Sequence, residues 1–160
     1  MNSVEIEIKK DGFNMMDLEI NKIFDMQKEI RGKVVNLADL SKEKTAIIVV
    51  DMVNGFVHEG PLSSPRVIGI IDNLVKLNEK TQGYKKIFFL DRHEENSVEF
   101  ENYAKHCING TSEAELISSL RNQDATIHNN TTMIPKNSTN GFHAPGFKVW
   151  LHRVFELLLG

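Results

Sequence analysis

The 160-residue sequence has a single cysteine, Cys107, and no strong excess of either charge, with 19 basic and 22 acidic residues. One cysteine cannot form an internal disulfide or a four-cysteine zinc site, so both kinds of scaffold are excluded. The net charge of −3 gives no broad electrostatic surface for nucleic acid or anionic lipid, and we expect neither as a partner. The first residues lack the basic and then apolar segments of a signal peptide, which predicts a cytoplasmic protein.

Hydrophobic residues make up 41% and charged residues 26% of the chain, as in ordinary globular proteins. No internal repeat, low-complexity tract or Gly/Pro-rich linker divides the sequence. We therefore predict an N-terminal helical extension over residues 1–43 and one domain over residues 44–160. Apolar residues at mixed three and four spacing predict a docking helix over residues 13–30, with its Met pair and Phe24 on the buried side.

Short apolar runs and helical periods alternate along the predicted domain. Residues 45–50 and 87–90 are typical of strands buried on both faces of a parallel sheet, and residues 131–134 form a weaker strand candidate. A helical period runs from Val67 towards Gly83, a second helix with a Ser112–Glu115 capping box is predicted over residues 112–120, and an amphipathic helix over residues 148–160. This order predicts an α/β fold with right-handed crossovers.

Each predicted strand is followed closely by a charged side chain, namely Asp51, Asp91 and Lys136. Ligands of parallel sheets bind outside the carboxyl ends of the strands, so we expect these three groups at one site. Any one of them has a plainer explanation, because a buried strand must reach solvent somewhere. The presence of charged residues at all three strand ends favours a functional site over this plainer explanation.

Asp91 and His93 lie two residues apart, and residues at this spacing on an extended chain project the same way. With His106 they offer one carboxylate and two imidazoles, a set suited to zinc, manganese or ferrous iron. The alternative is that the histidines are surface or hydrogen-bonded residues. Four nearby acids could add an oxygen ligand or form a solvated face: Glu94, Glu95, Glu99 and Glu101.

Four ordered motifs between about residues 45 and 147 resemble those of the isochorismatase-like cysteine hydrolases, and within them the nicotinamidase branch. The motifs are Thr45-Ala46-Ile47-Ile48-Val49-Val50-Asp51-Met52-Val53-Asn54-Gly55-Phe56, Asp91-Arg92-His93, His106-Cys107-Ile108-Asn109-Gly110-Thr111-Ser112-Glu113-Ala114-Glu115, and Pro135-Lys136 with Gly141-Phe142. The resemblance implies a three-layer α/β/α, Rossmann-like fold with a mostly parallel sheet.

The resemblance also implies a reaction, the hydrolysis of a C–N bond in a small carboxamide. Asp51 matches the family's general base, and Lys136 matches the lysine that keeps this carboxylate ionised. Phe56 and Phe142 match the aromatic walls that receive a flat substrate ring. The partner implied is therefore a small-molecule amide.

In the same family Asp91, His93 and His106 match the ligands of a divalent metal, for which we expect zinc, with manganese or iron as alternatives. The family nucleophile is a later cysteine in a Gly-Val-x-x-x-x-Cys-like segment, which this sequence lacks. Cys107 matches a position beside a metal ligand, so we expect an inert thiol there. We therefore expect a fragment, a truncated product or a frameshifted copy of a longer family member, without activity of its own above background.

Two other functions stay open. Some isochorismatase-type enzymes cleave a vinyl ether by acid catalysis without a cysteine, although they do not require the metal triad. A non-catalytic protein that binds a metal, a small molecule or another subunit is the second alternative. An unpaired edge on the first strand would favour association into a homo-oligomer.

Overall fold

The computed structural model describes residues 20–26, 35–124 and 130–159. The chain divides into two compact units, Met1–Asp39 and Leu40–Gly160, and the predicted boundary between residues 43 and 44 stays a prediction. In the first unit helix α1 covers residues 20–26, and a 3₁₀ turn covers Leu37–Asp39. Phe24 is 54% exposed, so its predicted burial is wrong. The Met pair of the predicted docking helix lies outside the described residues.

The second unit is built on three parallel strands, β1 (Ala46–Val50), β2 (Lys85–Asp91) and β3 (Thr131–Lys136). Their order across the sheet is β1-β2-β3, so β2 is the central strand. Val, Ile and Phe side chains fill much of β1 and β2, because branched and aromatic groups pack well on a pleated surface. The predicted parallel sheet is confirmed.

Helices cover both faces of this sheet and give the predicted three-layer α/β/α architecture. On one face, residues of β1 and β2 such as Val49 and Phe88 pack with α4 (Ile71–Lys80) and α5 (Ser118–Asp124). On the other face, Ile87, Phe89 and Ile134 pack with Trp150 of α6 (Pro145–Leu159). No helix in the described part of the chain combines the length and apolarity needed to cross a bilayer.

Strand β1 is less buried than its sequence predicts. Ile48 is 43% exposed and Val50 46% exposed, whereas Val49, on the opposite face, is buried. Helix α6 covers the second face over β2 and β3, and within the described ranges no strand pairs with the outer edge of β1. The prediction that β1 is buried on both faces is therefore wrong for this structure.

Two predicted helices are interrupted. The period that begins at Val67 forms α3 (Pro65–Ile68) and then α4, with Gly69 between them. The segment 112–120 forms a 3₁₀ turn at Ser112–Ala114, where Thr111 rather than Ser112 is the N-cap residue and makes no side-chain cap bond. Leu116 then forms an antiparallel bridge with Val53 before α5 begins, so the predicted capping box is wrong. A short helix α2 (Asn54–Val57) follows β1.

Candidate metal-binding and catalytic site

The register of the sheet brings Asp91 and Lys136 side by side. They are the last residues of β2 and β3 and are paired across the two strands. Lys136 Nζ donates a hydrogen bond of 2.7 Å to Asp91 Oδ1, and both side chains are 3% exposed. Because the pair is shielded from water, its attraction is much stronger than that of a surface ion pair.

Asp51 reaches the same lysine from the end of β1. Its backbone N–H donates to the Phe89 carbonyl at 3.0 Å, and its φ of 60° turns the chain away from the strand. Aspartate tolerates this left-handed conformation better than most residues. The turn brings Asp51 Oδ1 within 3.0 Å of Lys136 Nζ, an ion-pair contact whose angles do not make a regular hydrogen bond.

Burial and charge shift the proton affinities of this pair. Desolvation raises the pKa of Asp51 above its ordinary value, and the Lys136 ammonium opposes the shift without cancelling it. For Lys136, desolvation alone would lower the pKa, but the carboxylates of Asp91 and Asp51 outweigh it and raise the pKa. Lys136 is therefore a fixed cation, and Asp51 is a stronger proton acceptor than an exposed aspartate.

Both predicted histidine ligands converge on the second oxygen of Asp91. His93 Nε2 lies 2.9 Å and His106 Nε2 3.2 Å from Asp91 Oδ2, and the three side chains are buried. One ligand atom from each residue can be chosen so that all three atoms lie within 4.8 Å of one another. The structure thus brings together the three residues that the sequence predicted as metal ligands.

The hydrogen bonds of His106 indicate what fits between these groups. Its Nδ1–H donates to the Ala104 carbonyl at 2.7 Å, so in the neutral ring Nε2 carries a lone pair. That lone pair faces Asp91 Oδ2 at 3.2 Å, so a cation held near both atoms would be attracted by both. The donor set and its fixed tautomer therefore fit a divalent metal such as zinc.

Further polar groups surround His93. Ser97 Oγ lies 3.4 Å from its Nδ1, and Glu99 Oε2 lies 3.8 Å from its Nε2. Of the four acidic residues named from the sequence, Glu99 is thus one whose carboxylate approaches the ligand atoms. An additional carboxylate ligand would add charge and favour a doubly charged ion.

Aromatic rings enclose the imidazoles. Phe56 lies against His106, with ring centroids 5.7 Å apart. Phe100, which the sequence did not single out, packs edge-on against both His93 and His106 at 5.3 and 5.5 Å. Phe142 belongs to another aromatic group, where it stacks on Phe147 at 4.7 Å. The substrate-wall roles of Phe56 and Phe142 stay predictions.

An open cleft of about 520 Å³ lies next to the polar groups that approach His93, although Asp51, Asp91, His93, His106 and Lys136 do not themselves line it. It is lined by residues that follow β2, including Ser97 and Glu99, and by Asn137, Ser138 and Thr139, which follow β3 directly after Lys136. Its position outside the carboxyl ends of two parallel strands is where ligands bind in open α/β sheets, and its volume suits a small molecule.

Cys107 is fully buried and is not activated. Desolvation is the largest factor that raises the pKa of its thiol to about 12, and the carboxylates of Asp91 and Glu113 raise it further. Thiolates, not thiols, are the nucleophiles in cysteine hydrolases. At neutral pH this side chain is therefore a thiol without nucleophilic character.

Residues 45–155 match the family described as the isochorismatase domain. Among solved structures the chain is similar to an isochorismatase-like hydrolase from Alkaliphilus metalliredigens, with 27% identity and a TM-score of 0.58 over 68% of this chain and 60% of that chain. It is similar to nicotinamidase from Bacillus subtilis, with 26% identity and a TM-score of 0.58 over 68% of this chain and 64% of that chain.

A pyrazinamidase from Pyrococcus horikoshii, solved in complex with zinc, shares the fold at 24% identity and a TM-score of 0.54, over 68% of this chain and 64% of that chain. No curated protein matches the chain. The chain spans between 60 and 64% of the length of these three solved relatives. Because the matched segment 45–155 is well over half of the sequence, the chain belongs to the isochorismatase domain family.

Proposed function

We propose that the chain supplies the proton acceptor, the lysine and the metal ligands of a nicotinamidase-like hydrolase site that cleaves the C–N bond of a small carboxamide. The observation that carries the proposal is the double role of Asp91, which pairs with Lys136 through Oδ1 and with both imidazoles through Oδ2. Membership of the family supports hydrolase chemistry in general.

In this proposal Asp51 accepts the proton of the attacking nucleophile and later activates water. Its raised pKa suits the role, because a carboxylate with higher proton affinity is a better base near neutral pH. Lys136 stays protonated beside it and favours the ionised form of the base. A cysteine thiolate, which Cys107 does not provide, would attack the amide carbonyl, and Asp51 would pass the thiol proton to the leaving nitrogen so that ammonia departs. Water, activated by Asp51, would then hydrolyse the thioester to the free acid and the thiol.

Asp91, His93 and His106 would hold the divalent metal, with zinc as the first expectation and manganese or iron as alternatives. The bound ion would supply a positive centre that orients an electron-pair donor of the substrate. The zinc complex of the Pyrococcus horikoshii pyrazinamidase supports zinc as the first ion to test. Glu99 is the carboxylate best placed to add a further ligand atom.

The substrate in this proposal enters the open cleft next to the polar groups that approach His93. Amide and hydroxyl groups of Asn137 and Ser138 can hydrogen-bond a carboxamide there. Phe56 packs on His106 but does not line this cleft. A small-molecule amide in the cytoplasm is thus the proposed partner, without nucleic acid or membrane. Self-association through the exposed edge of β1 stays a prediction.

One observation favours a second function, the binding of a metal or small molecule without catalysis. Cys107 is the only cysteine of the 160 residues, and its buried thiol has a pKa of about 12. We therefore propose that these residues alone do not hydrolyse a carboxamide. The cysteine-independent vinyl-ether reaction is less favoured, because it has no use for the buried Asp91, His93 and His106 group.

Metal binding tests the proposal. The purified chain, first treated with a chelator, is dialysed against zinc, manganese or ferrous iron and its metal content is measured. We expect one equivalent for the wild type and a loss of binding in His93→Ala and His106→Ala. His58→Ala is the matched control, because this histidine is exposed. A wild type without metal at any pH, or full binding in His106→Ala, would contradict the proposal.

Ammonia release from nicotinamide tests the assignment of Cys107. We expect no release above background from the metal-loaded chain. Activity that is abolished by Cys107→Ser would identify this thiol as the nucleophile, and the assignment above would then be wrong.

A further inference from the structure

The carboxylate of Glu113 holds the turn that carries His106. Glu113 lies in the 3₁₀ turn Ser112–Ala114, and its Oε2 accepts the backbone N–H of Cys107 at 2.9 Å. Cys107 has a φ of 47°, a left-handed conformation that is unfavourable for a side chain without a specific support. The supported peptide group is the one that directly follows His106.

The other side of the same turn is bonded to His93. The Cys107 carbonyl accepts the His93 N–H at 3.0 Å, and the Asn109 N–H donates to the His93 carbonyl at 2.8 Å. Both polar backbone groups of Cys107 therefore have partners, one from Glu113 and one from His93. The direction of the His106 imidazole depends on this turn, because His106 directly precedes Cys107.

Two glycines leave room for the Glu113 side chain. A Cβ atom on Gly60, whose φ is 83°, would lie 2.7 to 2.9 Å from the carboxylate atoms of Glu113. A Cβ atom on Gly55 would lie 3.2 Å from Glu113 Cβ and 2.6 Å from Cys107 Sγ. Gly55 is in α2, shortly after Asp51, so Glu113 connects the segment that follows β1 with the turn beside His106.

We propose that Glu113 is a positioning residue, which holds the His106–Cys107 turn so that His106 Nε2 faces Asp91 and a metal bound there. This inference rests on the proposed function for the metal. The support of the Cys107 peptide does not require the metal and can be measured in its absence. Groups that orient metal ligands commonly affect the affinity for the ion although they do not touch it.

The test compares Glu113→Ala and Glu113→Gln, with Glu115→Ala as the matched control. Glu115 lies two residues away and forms an exposed ion pair with Arg121 at 2.8 Å. Cobalt(II) is the probe, because its absorption spectrum reports ligand geometry, and zinc affinity is measured by calorimetry. We expect Glu113→Ala to weaken binding about 10- to 100-fold and to alter the cobalt spectrum. Glu113→Gln keeps an oxygen acceptor and should restore both, and Glu115→Ala should match the wild type.

Amide hydrogen exchange at Cys107 in the metal-free chain is the second readout. Exchange should accelerate in Glu113→Ala and stay close to the wild type in Glu113→Gln. Unchanged zinc affinity together with unchanged exchange in Glu113→Ala would overturn the proposal. If the wild type bound no metal, the proposed function would fail, and the exchange rates would still decide the role of Glu113. If Glu113→Ala did not fold, Glu113→Asp, which withdraws the carboxylate by one methylene, would take its place.

Discussion

Replacement of Lys136 by methionine should strongly destabilise the metal-free protein. The change keeps most of the apolar stem but leaves Asp91 with a buried charge that has lost its 2.7 Å partner. Removing one member of a buried ion pair costs about 3–5 kcal/mol, because the remaining charge is not solvated. The contact with Asp51 should add less than this, because the Asp51 side chain is 32% exposed and water can partly solvate its carboxylate once the lysine is gone. The expected loss is therefore about 3–5 kcal/mol, most of it from Asp91.

Urea unfolding in the presence of a chelator measures this free energy. Lys105→Met is the matched control, since Lys105 is 58% exposed and lies 3.7 Å from an exposed Glu95, and it should change stability by less than about 0.5 kcal/mol. The double variant Lys136→Met/Asp91→Asn removes both charges and should recover part of the loss. A loss below about 1 kcal/mol for Lys136→Met, or a double variant at least as unstable as the single one, would refute the reasoning.

Three further predictions follow from single sites. With a pKa of about 12, only about one part in ten thousand of the Cys107 side chain should be thiolate at pH 8. Iodoacetamide should therefore alkylate Cys107 far more slowly in the folded chain than in the urea-unfolded chain. Equal alkylation rates would contradict the burial of this thiol. Asp51→Asn should stabilise the fold at pH 7, because desolvation raises the pKa of this aspartate and its ionised form is therefore disfavoured in the folded chain. The gain in unfolding free energy over wild type should vanish below pH 3.8, the pKa in the unfolded chain, and grow as pH rises through the folded pKa. Urea unfolding at several pH values measures this difference. Gly141→Ala would place a Cβ 2.8 Å from the Phe89 ring and should cost about 1–3 kcal/mol in urea unfolding, whereas Gly69→Ala, with its nearest neighbour at 3.4 Å, should be tolerated.

The strands of the fold were predictable because their apolar runs are short and bounded by charged residues. Residues 45–50, 87–90 and 131–134 correspond closely to the three observed strands. The exposure of Ile48 and Val50 was not predictable, because a strand's own sequence does not say which of its faces a neighbour covers. The burial of Lys86 was not predictable for the same reason. Its Nζ donates a hydrogen bond to the Asn78 carbonyl, so the burial depends on a contact between β2 and α4.

The helix boundaries were less predictable than the strands. The apolar spacing continues on both sides of Gly69 and therefore predicts one continuous helix there. At 112–120 the local capping signal favoured a helix, but the bridge between Leu116 and Val53 requires extended backbone. A tertiary contact thus decided the structure against the local preference.

Most of the candidate site could be predicted, because its groups lie at strand ends or two residues apart. Asp91, His93 and Lys136 needed only the parallel register and the alternation of an extended chain. Phe100 and Glu113 were missed as contributors, since their contacts arise from loop geometry that has no periodic signal. Nothing in the sequence indicates that Glu113, six residues after Cys107, accepts a hydrogen bond from the Cys107 N–H.

The sheet holds Asp51 less firmly than it holds the pair of Asp91 and Lys136. Asp91 ends the central strand β2, whereas Asp51 follows the outer strand β1, whose Ile48 and Val50 are exposed. Lys136 ends the other outer strand, β3, but its buried Nζ is bonded to Asp91. Fraying at the β1 margin would move Asp51, the proposed base, away from Lys136 and leave Asp91, His93 and His106 together. Metal binding should therefore survive perturbations that displace Asp51, so a metal-loaded preparation does not by itself show that the proposed base is in place.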